Sequence, residues 1–494
     1  MVYRGKPSAG CHSCRRRRIK CDGKPEGCSQ CSKISIECPG YRNLDDLLWR
    51  SENATTVRKA KASYDKIAKR ENRSTSSSPN YSTTSSSSSH SSPGSQDLVP
   101  VNSHVTLSLE DFGVINFMSS YVPGSHFDYL PKLYSNSAEG SPLRSVVQAA
   151  ALASFSRDTD DLSLMETARS HYANALTRTN ANLRNPALAT EDQTLVSVLL
   201  LSLFEAMVWD GVQELNNWTT HIMGALSILK LRGQKQFETE LGWRLFQQVG
   251  NNIRSSCIQN RSRIPPDLRA LFAEAKQQLK EDDPRMMLEP LLAELTELSA
   301  DIKEDALPVP EVLQAAMMLD YRFTILMQLI PDYKLEDSRT KYPEAFGDTV
   351  YEYPTLLASQ FWSSCRMIRV LLNEIIHGYT PHEPTMTDAA KESLQTQAAN
   401  TVERMGLDIC ASVPPILKLS PSSGTYKASA NSLLWPLSVV RSASLTPAPV
   451  SEYASKWLQY LGDELKLAPI RKALENKDRR LESLSDGLHI FYLT

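Results

Sequence analysis

The chain has 494 residues, 41% hydrophobic and 22% charged. This is ordinary for a soluble protein that buries a core, and too long for one compact domain. The net charge of −2 hides a basic head: residues 1–73 carry 18 Lys+Arg against 8 Asp+Glu, and the remainder carries 36 against 48. A basic head on an acidic body points to a polyanion as the partner of the head alone. The polar opening MVYRGKPSAG lacks the apolar core of a secretory signal. The longest apolar run, Leu195 to Phe204, is about half of a bilayer crossing. The chain is therefore expected neither to be secreted nor to enter a membrane. Its cysteines then face a reducing compartment, where metal binding is favoured over disulfides.

Six of the nine cysteines lie between residues 11 and 38. Their spacing is Cys11-x2-Cys14-x6-Cys21, six residues, then Cys28-x2-Cys31-x6-Cys38, the same half-unit twice. A C-x2-C pair places two thiolates within reach of one ion, and residues three apart share a helix face. A structural zinc ion takes four ligands. Six thiolates therefore serve one ion with two left over, or two ions if two sulfurs are shared. The internal duplication favours the shared arrangement. Between the second and third cysteines the sequence reads RRRRIK. A segment this short cannot form an apolar core, so metal must hold it, and its cations then project from a rigid helix. Such cations suit the major groove, where Arg or Lys meets guanine O6 and N7, with the rest falling to phosphates. The same run suits a nuclear import signal, and the two roles are compatible.

Residues Gly10 to Tyr41 resemble the fungal binuclear zinc-cluster family of transcription factors. All six cysteines match its pattern, as do RRRRIK and the following CDG. The resemblance implies two Zn²⁺ per chain, bridged by Cys11 and Cys28. Cys14 and Cys21 would complete one site, and Cys31 and Cys38 the other. It also implies that Arg17 and Arg18 read a CGG-type triplet while Arg15, Lys20 and Lys33 bind phosphate. The chain departs from the family at the loop between the halves. The usual proline two places before the fourth cysteine is displaced to Pro25, and Gly27 fills the gap, so this loop is expected to turn differently.

The fold class expected is a small metal-stabilised binuclear zinc cluster (residues 1–43), followed by a linker and a large all-α regulatory domain (100–494). Residues 44–73 are basic, with Val57, Ala60, Tyr64 and Ile67 at heptad-like spacing. Two heptads are fewer than a coiled coil requires, so a short dimerisation helix, a helix lying along phosphates and a simple linker all fit. Residues 74–99 form a Ser-rich segment, with 13 serines between Ser74 and Ser95, expected to be a disordered tether. Beyond about Val105, apolar residues recur at three- and four-residue steps, with polar breaks near 278–310 and 415–430. Thr190 and Gln193 suggest a capping box opening a helix that is apolar on nearly every side, hence central in a bundle.

The body also resembles the fungal-specific regulatory domain, on an apolar helix ending in Glu205 and on Trp218, His221, Gly224 and Ala225. Taken locally, Glu205 and His221 read as satisfied structural residues. The acidic-hydrophobic stretch Lys280–Leu307 reads as an exposed amphipathic helix in preference to a coactivator-recruiting segment. No phosphate loop, dinucleotide fingerprint, zincin or nucleophile-elbow motif occurs, and Cys257, Cys365 and Cys410 read as small buried hydrophobes. The chain therefore reads as no enzyme. It reads as a nuclear, zinc-dependent, sequence-specific DNA-binding regulator of RNA polymerase II genes of a fungus. Expected partners are double-stranded DNA, itself as a homodimer, and coactivator or corepressor machinery, with no membrane. The competing reading is a zinc-containing scaffold whose head binds protein.

Overall fold

The computed structural model describes residues 11, 13, 14, 17, 19–22, 24, 27–34, 36 and 38 in the head. In the body it describes 108–209, 216–278, 285–329, 333–418, 426–467, 470 and 474. The expected dimerisation segment (44–73) and Ser-rich tether (74–99) lie outside the described residues. The chain divides into two compact units, Met1–Asn102 and Ser103–Thr494. Among the described residues of the head unit lies a short helix, α1 (Ser29–Ser32).

The body is a helical assembly. It opens with α2 (Leu109–Ser120), α3 (Leu130–Ser135), α4 (Pro142–Thr159) and α5 (Leu162–Leu183). A short α6 (Pro186–Ala189) leads into α7 (Asp192–Val208), α8 (Asn216–Arg232) and α9 (Glu240–Asn260). Next come α10 (Pro266–Lys276), α11 (Arg285–Lys303) and α12 (Val309–Leu329). A small hairpin follows, β1 (Lys334–Asp337) and β2 (Thr349–Glu352), with α13 (Ser338–Lys341) between its strands. It pairs antiparallel, Lys334 opposite Glu352 and Asp337 opposite Thr349. Helices α14 (Leu356–Tyr379), α15 (Asp388–Lys418), α16 (Tyr426–Ser442) and α17 (Ala448–Glu464) follow. No helix among the described residues is long and apolar enough to cross a membrane.

Local chemistry sets the helix ends. Ser108 and Asp111 form a reciprocal capping box at α2, and the Ser141 and Thr355 side chains cap α4 and α14, each satisfying an orphan N–H. Helix α7 departs from the expected start. Thr190 lies in the helical region, ending α6, whose own cap is Asn185. Glu191 is extended and becomes the N-cap of α7 without a side-chain bond. The α6 turn takes the position the capping box would need. The rest of α7 behaves as its pattern predicts: Leu195 through Leu201 are buried, and it packs against α4, α5 and α8. Its buried serines return their hydroxyls to the helix, Ser197 to the Gln193 carbonyl at 2.6 Å and Ser202 to that of Leu199 at 2.7 Å.

The polar break expected near 278–310 is largely helix. In α11, Leu291, Leu295 and Leu298 are all buried. The acidic-hydrophobic stretch is thus amphipathic, but its apolar face is spent inside the body. Its acidic face pairs outward, with Arg263 bridging Glu297 at 2.6 Å and Asp301 at 2.7 Å.

Two buried arginines tie the second half together. Arg369 of α14 makes a bidentate contact with Asp320 of α12, at 2.7 and 3.0 Å, and Asn373 adds a bond to the same carboxylate at 2.9 Å. Arg366, 1% exposed, lies 4.2 Å from the ring centre of Tyr351 and 5.4 Å from that of Trp362. It also bonds the hydroxyls of Tyr353 and of Ser412 on α15. Asp408 closes the cage, 3.7 Å from the guanidinium and accepting from the Tyr351 hydroxyl at 2.8 Å. The hairpin is thereby fastened to α14 and α15 through one cation. Arg366→Ala is expected to lower the unfolding free energy by about 3 kcal/mol, since removing one member of a buried charged network strands the others. Arg366→Lys restores charge without the planar fork and should recover only part. Urea titration measures both; an unchanged midpoint for Arg366→Ala would show that the cage does not hold the hairpin.

Candidate metal centre

The head has no apolar core among its described residues. Ile19, Ile34 and Ile36 are all exposed, at 38%, 43% and 42%. What is buried is sulfur: Cys11, Cys14, Cys28 and Cys31 are at most 1% exposed, with Cys21 and Cys38 packed against them.

The sulfurs form two overlapping groups. Cys11, Cys14, Cys21 and Cys28 make one, Cys11, Cys28, Cys31 and Cys38 the other, the ligand atoms of each lying within 4.8 Å of one another. Cys11 and Cys28 belong to both. The Sγ separations are 3.6 Å for Cys11–Cys28, 3.7 Å for Cys11–Cys31 and 3.5 Å for Cys14–Cys28. A tetrahedron with Zn–S distances of about 2.3 Å has edges of about 3.8 Å, so the spacing fits zinc. Disulfides, at about 2.0 Å, are excluded, and all nine cysteines are free.

Local backbone produces this convergence twice. The Cys14 N–H donates to Cys11 Sγ and the Cys31 N–H to Cys28 Sγ, both at 3.4 Å. Each C-x2-C thus closes a turn on its first sulfur and brings the second alongside. Cys28 is the N-cap of α1. In the first half the chain turns on through the Arg17 N–H to the Ser13 carbonyl at 3.0 Å and the Ile19 N–H to that of Cys14 at 3.1 Å. Asp22 ties the halves together, accepting the Ser29 hydroxyl at 2.6 Å and the Ser29 N–H at 3.0 Å. The Ser29 hydroxyl bond holds this carboxyl below its ordinary range.

Burial pushes the Cys14 thiol up to about 12 and raises Cys28 and Cys31 as well. A sulfur cluster this enclosed carries thiolates only beside compensating positive charge. Bound zinc supplies that charge and cross-links the two half-units. Gly27 makes the loop between them possible. Its φ of +121° is one that L side chains rarely adopt, and a Cβ there would come 3.3 Å from the Cys38 Cβ. The displaced proline is thus accompanied by a turn only glycine makes easily.

Of the cationic residues expected to meet DNA, Arg17, Lys20 and Lys33 are exposed; Arg15 and Arg18 lie outside the described residues. In the body, Glu205 and His221 do come together, on Tyr172. Its hydroxyl donates to Glu205 at 2.5 Å and lies 3.1 Å from His221 Nε2, while its ring stacks on Phe204 at 4.5 Å. Burial lowers the His221 pKa, favouring a neutral imidazole. Trp218 is buried. Cys257, Cys365 and Cys410 are buried too, with Cys365 and Cys410 pushed up to about 12 by burial, unsuited to nucleophilic chemistry. The Tyr172 hydroxyl is the partner that reading Glu205 and His221 alone missed; its place in the apolar pattern of α5 carries no signal of it.

These features define a binuclear cysteine cluster. Residues 9–46 match the fungal Zn(2)-Cys(6) binuclear cluster domain, and the head belongs to that family and binds two zinc ions. White-opaque regulator 2 of Candida albicans (strain SC5314 / ATCC MYA-2876) is 36% identical over 55 residues. The alignment spans 11% of this chain and 12% of that relative. No solved structure gives a significant match.

Gly27→Ala is expected to cost about 1–3 kcal/mol in the head, as strained backbone conformations do. Because metal binding and folding are one event in such a module, apparent zinc affinity should fall roughly tenfold or more. Chelator competition on the full chain checks this; wild-type affinity would show that the loop relaxes around the new side chain.

Proposed function

We propose that this chain is a zinc-dependent, sequence-specific DNA-binding regulator of RNA polymerase II transcription in the nucleus of a fungus, reading CGG-type triplets in the major groove. The observation that carries the reading is the pair of four-sulfur groups sharing Cys11 and Cys28, with exposed Arg17, Lys20 and Lys33 on the same few turns. A small unit without an apolar core presents cations at fixed positions only when something else holds its backbone, and here that is metal. The relative's printed name, a regulator, agrees.

In this reading Cys11 and Cys28 bridge the ions, Cys14 and Cys21 complete one site, and Cys31 and Cys38 the other. Arg17 and Arg18 contact base edges, and Arg15, Lys20 and Lys33 contact phosphates. The zinc module is assigned to 1–43, the basic linker to 44–73, the Ser-rich linker to 74–99 and the regulatory body to 100–494. Homodimerisation and recruitment of coactivator or corepressor machinery belong to the same reading.

Two measurements on the full chain test it. Metal content separates the ligand roles: Cys28→Ala should lose both ions and Cys38→Ala should keep one more than Cys28→Ala does. Equal loss in the two variants would contradict bridging. Duplex binding across a salt series tests recognition. Arg18→Ala should relax triplet preference by about 1–3 kcal/mol, whereas Lys20→Ala should weaken all sequences alike and flatten the salt slope. Binding indifferent to triplet sequence in the wild type would defeat the specific-regulator reading and favour a protein-binding scaffold.

A further inference from the structure

Helices α9, α10 and α11 line a solvent-open cavity of about 300 Å³ that the DNA-binding reading does not use. This volume is at the small end of the range for small-molecule sites, about 300–1,000 Å³. Its walls include Trp243, Phe246 and Phe272. The rings are already in place: Phe246 meets Trp243 edge-on at 6.0 Å and Phe272 at 4.7 Å. Gly250 leaves room for the Phe272 ring, which a Cβ there would touch at 3.0 Å. Arg254, 6% exposed, lies over the same ring at 4.4 Å.

An aromatic box by itself suits a cation. The charges around this one point the other way. Arg269, Lys276 and Glu289 line the cavity. Burial pushes the Glu289 carboxyl up, with Arg254 and Lys276 opposing the rise, and Arg269 is shared with Glu297 at 2.9 Å. The buried Arg254 bonds Asn251 through Nη2 at 2.8 Å and leaves Nε and Nη1 unpaired among the described residues. Positive charge is therefore in surplus, and exposed Lys276 carries it at the cavity's edge.

We propose that this cavity binds a small planar aromatic acid, its ring among Trp243, Phe246 and Phe272 and its carboxylate at Lys276. Apolar walls with a few convergent polar groups, here with Lys276 at the rim, fix such a ligand's orientation. The site stands independently of DNA recognition by the head.

The test uses the full chain with 2-naphthoate as probe, neutral 2-naphthylmethanol and a naphthylmethyl-trimethylammonium cation as comparisons, and calorimetry as readout. Saturable binding of about one naphthoate per chain is expected, with Lys276→Glu weakening it about tenfold, equivalent to 1.4 kcal/mol, and leaving the alcohol unchanged. Ala293→Trp, which fills the cavity wall, should abolish binding of both while the thermal transition stays in place. Should Ala293→Trp fail to fold, Ala273→Leu, on the exposed wall, replaces it. No saturable binding of naphthoate up to millimolar concentration would overturn the proposal. So would tighter binding of the cation, or binding unmoved by the filling variant, which would mark an adventitious additive only.

Discussion

Two sulfur atoms common to both four-sulfur groups, those of Cys11 and Cys28, are the constraint on which the head depends. A module whose described apolar side chains all face solvent has nothing to exchange for the conformational entropy it loses on folding. The metal-thiolate cross-link supplies that term, and the hydrogen bonds of Cys14 and Cys31 to Cys11 and Cys28 set the repeated turn that makes the link possible. Asp22 and Gly27 are secondary to it. One clips the first half to Ser29, and the other lets the chain reverse beside Cys38.

The body solves the folding problem in the opposite way. It buries one extended apolar cluster around helices such as α7, and several of the polar groups it takes inside come with partners. Arg366 in its ring of aromatic and hydroxyl groups, Arg369 on Asp320, and Glu205 with His221 on Tyr172 are three versions of this rule. Each links helices or strands distant in sequence, so each specifies how elements meet, which apolar burial alone leaves loose. The acidic-hydrophobic stretch follows the same rule: Leu291, Leu295 and Leu298 are core, Glu297 is tied to Arg263 and Arg269, and Asp301 to Arg263.

The aromatic cavity differs from these satisfied clusters. Its walls are well packed, yet Arg254 keeps unpaired donors behind Phe272 and Lys276 holds charge at the rim. The ligand we infer meets the rim charge at Lys276.

Much of the centre was legible in one dimension. Six cysteines at repeated spacing name the donor set, because ligands near in sequence are near in space. The central, buried place of helix α7 follows from its run of apolar residues, which needs no knowledge of partners. Tertiary structure alone decided that Glu191, not Thr190, caps α7, since the preceding α6 turn competes for the same residues. It alone buried the leucines of α11, gathered Tyr351, Trp362, Asp408 and Ser412 around Arg366, and joined three helices into a cavity. These are long-range packing outcomes. Spacing along the chain encodes local geometry, whereas which faces meet is settled only when distant helices compete for the same apolar surface.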